Sequence, residues 1–178
     1  MNLITHLHDK IEAAGLWESY PVLSRNEHLK VRGSIDTRLY YVVSGTLRVY
    51  VVDEFEEHTI RFGYQGSFIA ALDSFITEKP SDFYIQALKK TELKMISKAV
   101  YTQFMQSDAE NLRLWHAILE QLVYQQMERE RDLLTSSPLE RYERVLRRSP
   151  QLFQEVPHKY IASYLRMTPE TLSRIKKS

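Results

Sequence analysis

The chain has 178 residues, of which 43% are hydrophobic and 26% charged, values that suit a folded protein with a sizeable core. It contains no cysteine, which excludes disulfides, thiolate zinc sites and cysteine-held iron–sulfur clusters. The net charge of +1 conceals a division: from Leu139 onward nine basic residues stand against four acidic ones, a surplus of +5 that leaves −4 on the rest, and a basic end of this kind points to a polyanionic partner.

The opening "MNLITHLHDKIEAAGLW" has no cationic-then-apolar signal pattern, and no apolar run approaches a membrane span. A cytoplasmic protein without membrane contact is expected. Leu3, Leu7 and Ile11 recur at helical spacing and Gly15 supplies a stop, so a short amphipathic helix is predicted first. The period then changes to two. "RLYYVVSGTLRVYVVD" predicts two strands about a Ser44-Gly45 turn, with Leu47, Val49 and Val51 on one face. "EEHTIRFGYQGSF" and "DFYIQALKKTELKMIS" continue the pattern to about Lys98, the latter turning near Lys89-Lys90. Short strands at this spacing predict an antiparallel barrel or jelly roll.

Helical period returns at Ser107, which with Glu110 forms a capping-box signature. "NLRLWHAILEQLVYQQMERERDLL" follows, a helix of roughly 27 residues that would reach about 40 Å. Leu112, Trp115, Ile118, Leu119, Leu122 and Val123 form its apolar stripe, whereas Gln125 to Asp132 are polar. The stripe suits pairing with a second copy along the helix, or packing against the strands, or each on a different face. Ser137, Pro138 and Glu140 restart a helix, which makes Thr135 to Ser137 a hinge.

The run "IASYLRMTPETLSRIKK" has the pattern of a helix-turn-helix. Ile161, Leu165, Met167, Leu172 and Ile175 take the apolar positions, and Ala162 sits where the two helices cross. Thr168 is an N-cap and Pro169 a favoured first helical residue. The outer face then shows Glu170, Ser173, Arg174 and Lys177. Arginine suits a guanine edge and glutamate a cytosine amine, while Thr168, Thr171 and Lys177 suit phosphate oxygens. Arg166 stands at the turn position usually held by glycine, so a left-handed backbone is expected there, with the side chain directed to phosphate.

Taken in order, these segments resemble the Crp/Fnr family of bacterial transcription regulators over nearly the full length. The resemblance rests on "LYYVVSGTLRVYVVDEFEEHTIRFGYQGSFI", with Gly66-Ser67-Phe68-Ile69 at the family's G-D-F-I position, and on "IASYLRMTPETLSRI" near the end. It implies an α+β protein: a cyclic-nucleotide-binding-like β-roll over 1–106, a long dimerisation helix and hinge over 107–136, and a helix-turn-helix domain over 137–178. It implies a homodimer that places two recognition helices in successive major grooves of palindromic double-stranded DNA, with Glu170 and Arg174 reading bases and Ser173 between them. RNA polymerase is a further partner open to such a regulator. The chain stops directly after the recognition helix, so the β-hairpin wing of many relatives is expected to be absent.

Nucleotide-binding members carry Gly-Glu shortly after G-D-F-I, then Arg followed by Ser or Thr. The corresponding residues here are Ala70-Ala71 and Ser81-Asp82, so the ribose acceptor and the phosphate cation are both missing. Lys79 is a poor substitute for the guanidinium fork. A cyclic nucleotide is therefore not expected, and no cofactor or metal is. Phe68, Ala70, Ala71, Ser81 and Phe83 mark the region where some other effector would sit; Phe68, Phe75, Phe83 and Tyr84 read first as core. Haem would need an axial His58 or His116. A metal-dependent cupin enzyme would need two or three convergent histidines, and the strand region holds only His28 and His58, so catalysis is not expected. An interaction module of this architecture that no longer binds DNA is the remaining alternative.

Overall fold

The computed structural model describes residues 2–177; Met1 and Ser178, the outer limits of the first and last expected segments, lie outside them. The chain forms two compact units, one of residues 1–49 and 62–121, the other of 50–61 and 122–178.

In the first unit, α1 (Leu3–Ala13) begins at Asn2, whose side chain accepts the Ile4 N–H at 2.9 Å, and it buries Leu7 and Ile11. Eight short strands follow in two antiparallel sheets, all within this unit except residues 50–61 of the β4–β5 hairpin: β1 (Val22–Leu23), β2 (His28–Lys30), β3 (Arg38–Ser44), β4 (Thr46–Asp53), β5 (Glu56–Tyr64), β6 (Phe68–Ile69), β7 (Tyr84–Ala87) and β8 (Thr91–Ser97). The sheet orders are β1-β8-β3-β6 and β2-β7-β4-β5. Tyr40, Val42, Leu47, Val49, Ile85 and Leu93 point between the sheets and form the core, with Phe83 and Met95 packed against it. The jelly-roll expectation agrees with this arrangement.

Two turns differ from expectation. β3 and β4 lie in different sheets, so Ser44-Gly45 is a corner and not a hairpin, and the Lys89-Lys90 turn between β7 and β8 is a second corner. The corners are fastened together: Leu88 N–H donates to Thr46 O at 2.8 Å, and Thr46 N–H donates to Thr91 Oγ1 at 3.2 Å. Gly45 has φ +99, and a Cβ on it would lie 2.6 Å from Lys90 O. Two short helices of this unit were also unforeseen, α2 (Leu72–Thr77) and α3 (Lys98–Gln106). Ser107 closes α3 instead of opening the next helix. Asp108 is the cap of α4 (Ala109–Leu134), its Oδ1 accepting the N–H groups of Glu110 and Asn111 at 2.8 Å each.

The second unit combines the outer part of the β4–β5 hairpin and the later turns of α4 with α5 (Pro138–Arg148), α6 (Leu152–Glu155), α7 (His158–Tyr164) and α8 (Pro169–Ile175). Its apolar centre is Val145, Leu152, Val156, Ile161, Ala162, Leu165 and Leu172, all buried. α4 ends at Leu134 and α5 begins at Pro138, with Ser137 Oγ accepting the Glu140 N–H at 3.3 Å. The expected break at Thr135 to Ser137 is therefore where it was placed.

Candidate nucleic-acid interface

The turn between α7 and α8 carries out what its sequence demands. Arg166 has φ +54, the left-handed conformation that ordinarily selects glycine. Its N–H donates to Ser163 O at 3.1 Å and Met167 N–H donates to Ala162 O at 3.0 Å, the bond pair of a Schellman cap. The chain then extends to Thr168, whose Oγ1 accepts the Thr171 N–H at 3.2 Å, and Pro169 enters the new helix without needing a donor. Ala162 is fully buried, as a helix crossing requires.

The residues expected to contact DNA fall into three groups. Glu170, Ser173, Arg174 and Lys177, with Pro169 and His158, line one open groove of about 780 Å³. Thr168 and Thr171 are bonded to each other at the helix start, Thr168 Oγ1 to Thr171 Oγ1 at 3.2 Å. Arg166 is exposed at the turn, outside the groove lining. His158 was not foreseen as a member; its Nε2 lies 2.7 Å from Lys176 Nζ. A histidine three residues before the first apolar position of a helix-turn-helix was the available signal.

The same unit holds an arginine framework, of which Arg141, Arg144 and Arg148 entered the sequence analysis only as part of the basic surplus after Leu139. Arg141, buried on α5, donates from Nη1 to Thr135 O at 2.8 Å and from Nη2 to Arg166 O at 3.4 Å, so one side chain ties the link between α4 and α5 to the turn between α7 and α8. Asp132 is fully buried and binds Arg144 Nε at 3.0 Å and also Arg148. Arg129 is buried as well, and burial pushes its guanidinium below the ordinary value. The polar later half of α4 thus supplies this unit with charged core residues. Ser163 on α7 joins the hairpin edge: it accepts the Thr59 N–H at 3.1 Å and donates to Glu57 O at 3.0 Å.

Of the residues expected along the pairing stripe, Ile118 is buried and Trp115 is partly buried, its ring 5.6 Å from that of Tyr101. Leu122 is also half-buried. Leu112, Leu119 and Val123 are exposed, and Tyr124 and Met127 join them. The stripe is therefore split between an inward and an outward face.

The expected effector residues are likewise divided. Ala71 belongs to the roll core and Phe83 packs on it. Phe68 instead stacks on Trp17 and meets Tyr41 edge-on, and Ala70 is partly buried. Ser81 is buried, its hydroxyl donating to Asp73 Oδ1 at 2.8 Å and accepting the Phe83 N–H at 3.0 Å. Asp82 N–H donates to Asp73 Oδ2 at 2.9 Å. The Asp73 carboxylate thus occupies these donors, and its charge repels any phosphate brought to them. Among the described residues, no three histidine, aspartate or glutamate side chains converge as metal ligands, and no helix is long and apolar enough to cross a membrane.

Residues 22–108 match the family model of the cyclic nucleotide-binding domain. No curated protein matches the sequence. Among solved structures, the chain is similar to FixK2 from Bradyrhizobium japonicum at 17% identity, with a TM-score of 0.70 over 89% of this chain and 82% of that one. The global regulator CLP of Xanthomonas campestris, described as responsive to c-di-GMP, gives 17% identity and a TM-score of 0.69 over 96% and 90%. A CRP/FNR-family transcriptional regulator of Thermus thermophilus gives 17% and 0.63 over 88% and 83%.

Proposed function

We propose that this chain, whose fold is that of the Crp/Fnr transcription regulators, is a sequence-specific DNA-binding regulator that acts as a homodimer without a cyclic nucleotide. The observation that carries the proposal is the groove along α8, where Glu170, Ser173 and Arg174 of a helix capped by Thr168 stand together with Lys177 just past its end. Such a helix presents a base acceptor, a two-donor fork and a phosphate cation along one face. In this reading 1–106 is the roll, 107–136 the pairing helix and hinge, and 137–178 the DNA-binding part. The outward residues Leu112, Leu119 and Val123 support pairing, which sets two recognition helices about one DNA turn apart on a palindrome.

Selection of duplexes from a random pool by the purified, ligand-free protein tests the proposal, with Arg174→Ala in parallel. A palindrome enriched by the wild type and not by the variant is the expected result. Loss of a bidentate base contact costs about 1–3 kcal/mol in discrimination. Failure of the wild type to enrich any site removes the effector-independent reading, and equal enrichment by both proteins removes Arg174 from base readout.

A further inference from the structure

The connection from β6 to β7 runs through α2 and the loop 78–83, and it is closed on a single side chain. Asp73 Oδ1 accepts the Ser74 N–H at 2.7 Å and the Ser81 hydroxyl at 2.8 Å, and its Oδ2 accepts the Asp82 N–H at 2.9 Å. Two backbone N–H groups and one hydroxyl thus converge on one carboxylate, a donor set of the kind that holds small oxyanions. Ser81 is 1% exposed, and its backbone is bonded on both sides: its N–H donates to Ser34 O at 3.0 Å and its carbonyl accepts from Gly33 N–H at 2.8 Å. The loop therefore has a fixed seat, and the left-handed Glu78, φ +60, brings the chain round to it. On the opposite side, Ser74 Oγ accepts the Asp36 N–H at 2.9 Å, which joins the seat to the buried Asp36 cluster.

We propose that the Asp73 carboxylate is a built-in anion that closes this turn in place of an external oxyanion, and that the same three donors bind a small carboxylate or phosphate once it is removed. The inference deepens the reading of the roll as independent of cyclic nucleotides, and it is tested without DNA, so that the two fail separately. An intramolecular carboxylate is present at high effective concentration and loses little freedom on seating, so an external phosphate has to displace it against charge repulsion. Position 81 completes the exchange. Its serine hydroxyl brings one neutral donor and no cation, which suits a carboxylate on the same chain better than a free phosphate.

The test uses the full chain, wild type against Asp73→Ala, in matched chloride, formate and inorganic phosphate. The variant is expected to melt about 4 °C lower in chloride, because the three hydrogen bonds are exposed or only partly buried and water replaces much of what the carboxylate supplied. Formate or phosphate should restore about 2 °C of this at several times its dissociation constant, while leaving the wild type unmoved. The amide resonances of Ser74 and Asp82 should shift with formate in the variant alone. A second variant, Asp73→Asn, keeps one acceptor oxygen and turns an N–H₂ toward the Asp82 N–H. Its Asp82 amide should exchange with solvent about tenfold faster or more, with Ser74 less affected. An Asp82 amide that stays as protected as in the wild type, a wild type stabilised by phosphate, or an Asp73→Ala protein that folds without anion-specific recovery overturns the inference.

Discussion

Arg129 lies over the ring of Tyr164, its guanidinium carbon 3.7 Å from the ring centroid, and its Nη2 donates to Tyr164 O at 2.6 Å. The last helix-borne carbonyl of α7 is thereby satisfied by a side chain from α4, and the cation rests on an aromatic face. Nη1 of the same guanidinium is buried without a hydrogen-bond partner, so the contact combines good stacking with incomplete solvation.

Two substitutions separate these effects. Arg129→Met retains much of the volume over Tyr164 and removes the unsatisfied Nη1, so it should cost about 1 kcal/mol or less. Arg129→Ala opens space beside Tyr164 and should cost about 2–4 kcal/mol. Urea unfolding of both variants checks the order. A Met variant as unstable as the Ala variant would show that the bond to Tyr164 O, and not packing, holds the pair.

The contrast between Ala162 and Arg129 shows how much could be read from sequence. Apolar spacing, a small residue at the crossing and the Thr168-Pro169 cap identify α7 and α8, because each is a local requirement of helix contact. The break at Thr135 to Ser137 is equally local. Asp132 and Arg129 look solvent-facing in a polar run, since their burial depends on α5 and α7 arriving from elsewhere. A hint existed in α5, where Arg141 and Arg148 lie four before and three after the buried Val145, on one face. Sheet-changing corners escape for a related reason: a Ser-Gly pair between two β-rich runs reads the same whether the strands pair or part. Asp73, too, takes its meaning from Ser81 and Asp82, which only the loop brings near it.

Arg166 holds a left-handed backbone at φ +54, at a cost that glycine does not bear. Arg166→Gly should therefore stabilise the fold by about 0.4–1 kcal/mol, less the entropy that glycine adds to the unfolded chain. The Arg141 bond is to the carbonyl of residue 166 and survives the change. If the side chain contacts phosphate, DNA affinity falls for all sequences alike and the salt slope drops by about one. Melting curves and binding at several salt concentrations decide both parts.

Acid stability should report on Asp36. Burial alone would raise its carboxyl, but the hydrogen bonds from Arg38, Lys30 and Tyr40 outweigh burial and hold it below the ordinary value. Arg38 Nε lies at 2.7 Å, Lys30 Nζ at 2.8 Å and Tyr40 OH at 2.9 Å. With the folded value depressed, the stabilisation is complete above the unfolded value of about 4 and is lost as pH falls through the folded one. Asp36→Asn should lose about 3 kcal/mol at neutral pH and show a shallower decline below about pH 4. Unfolding midpoints measured across that range test the sign; parallel acid limbs for the two proteins exclude Asp36 as a source.

The outward face of α4 bears on assembly. Val123 and Met127 are 62% and 61% exposed, four residues apart on one helix, and Leu119 precedes them by another four. Side chains at this spacing share a face, and apolar residues there gain most when a second helix covers them. Val123→Glu introduces a charge on that face and removes no buried contact of the isolated chain. It should leave the melting of a dilute monomer nearly unchanged while raising the dimer dissociation constant by about tenfold or more, and DNA affinity for a palindrome should fall with it. Ile118→Ala is the counterpart. Ile118 is only 7% exposed, so its loss should lower stability by about 2–4 kcal/mol. Sedimentation equilibrium separates the two. If Val123→Glu dimerises as the wild type does, pairing uses some other surface, and the spacing of two recognition helices has to be set without this stripe.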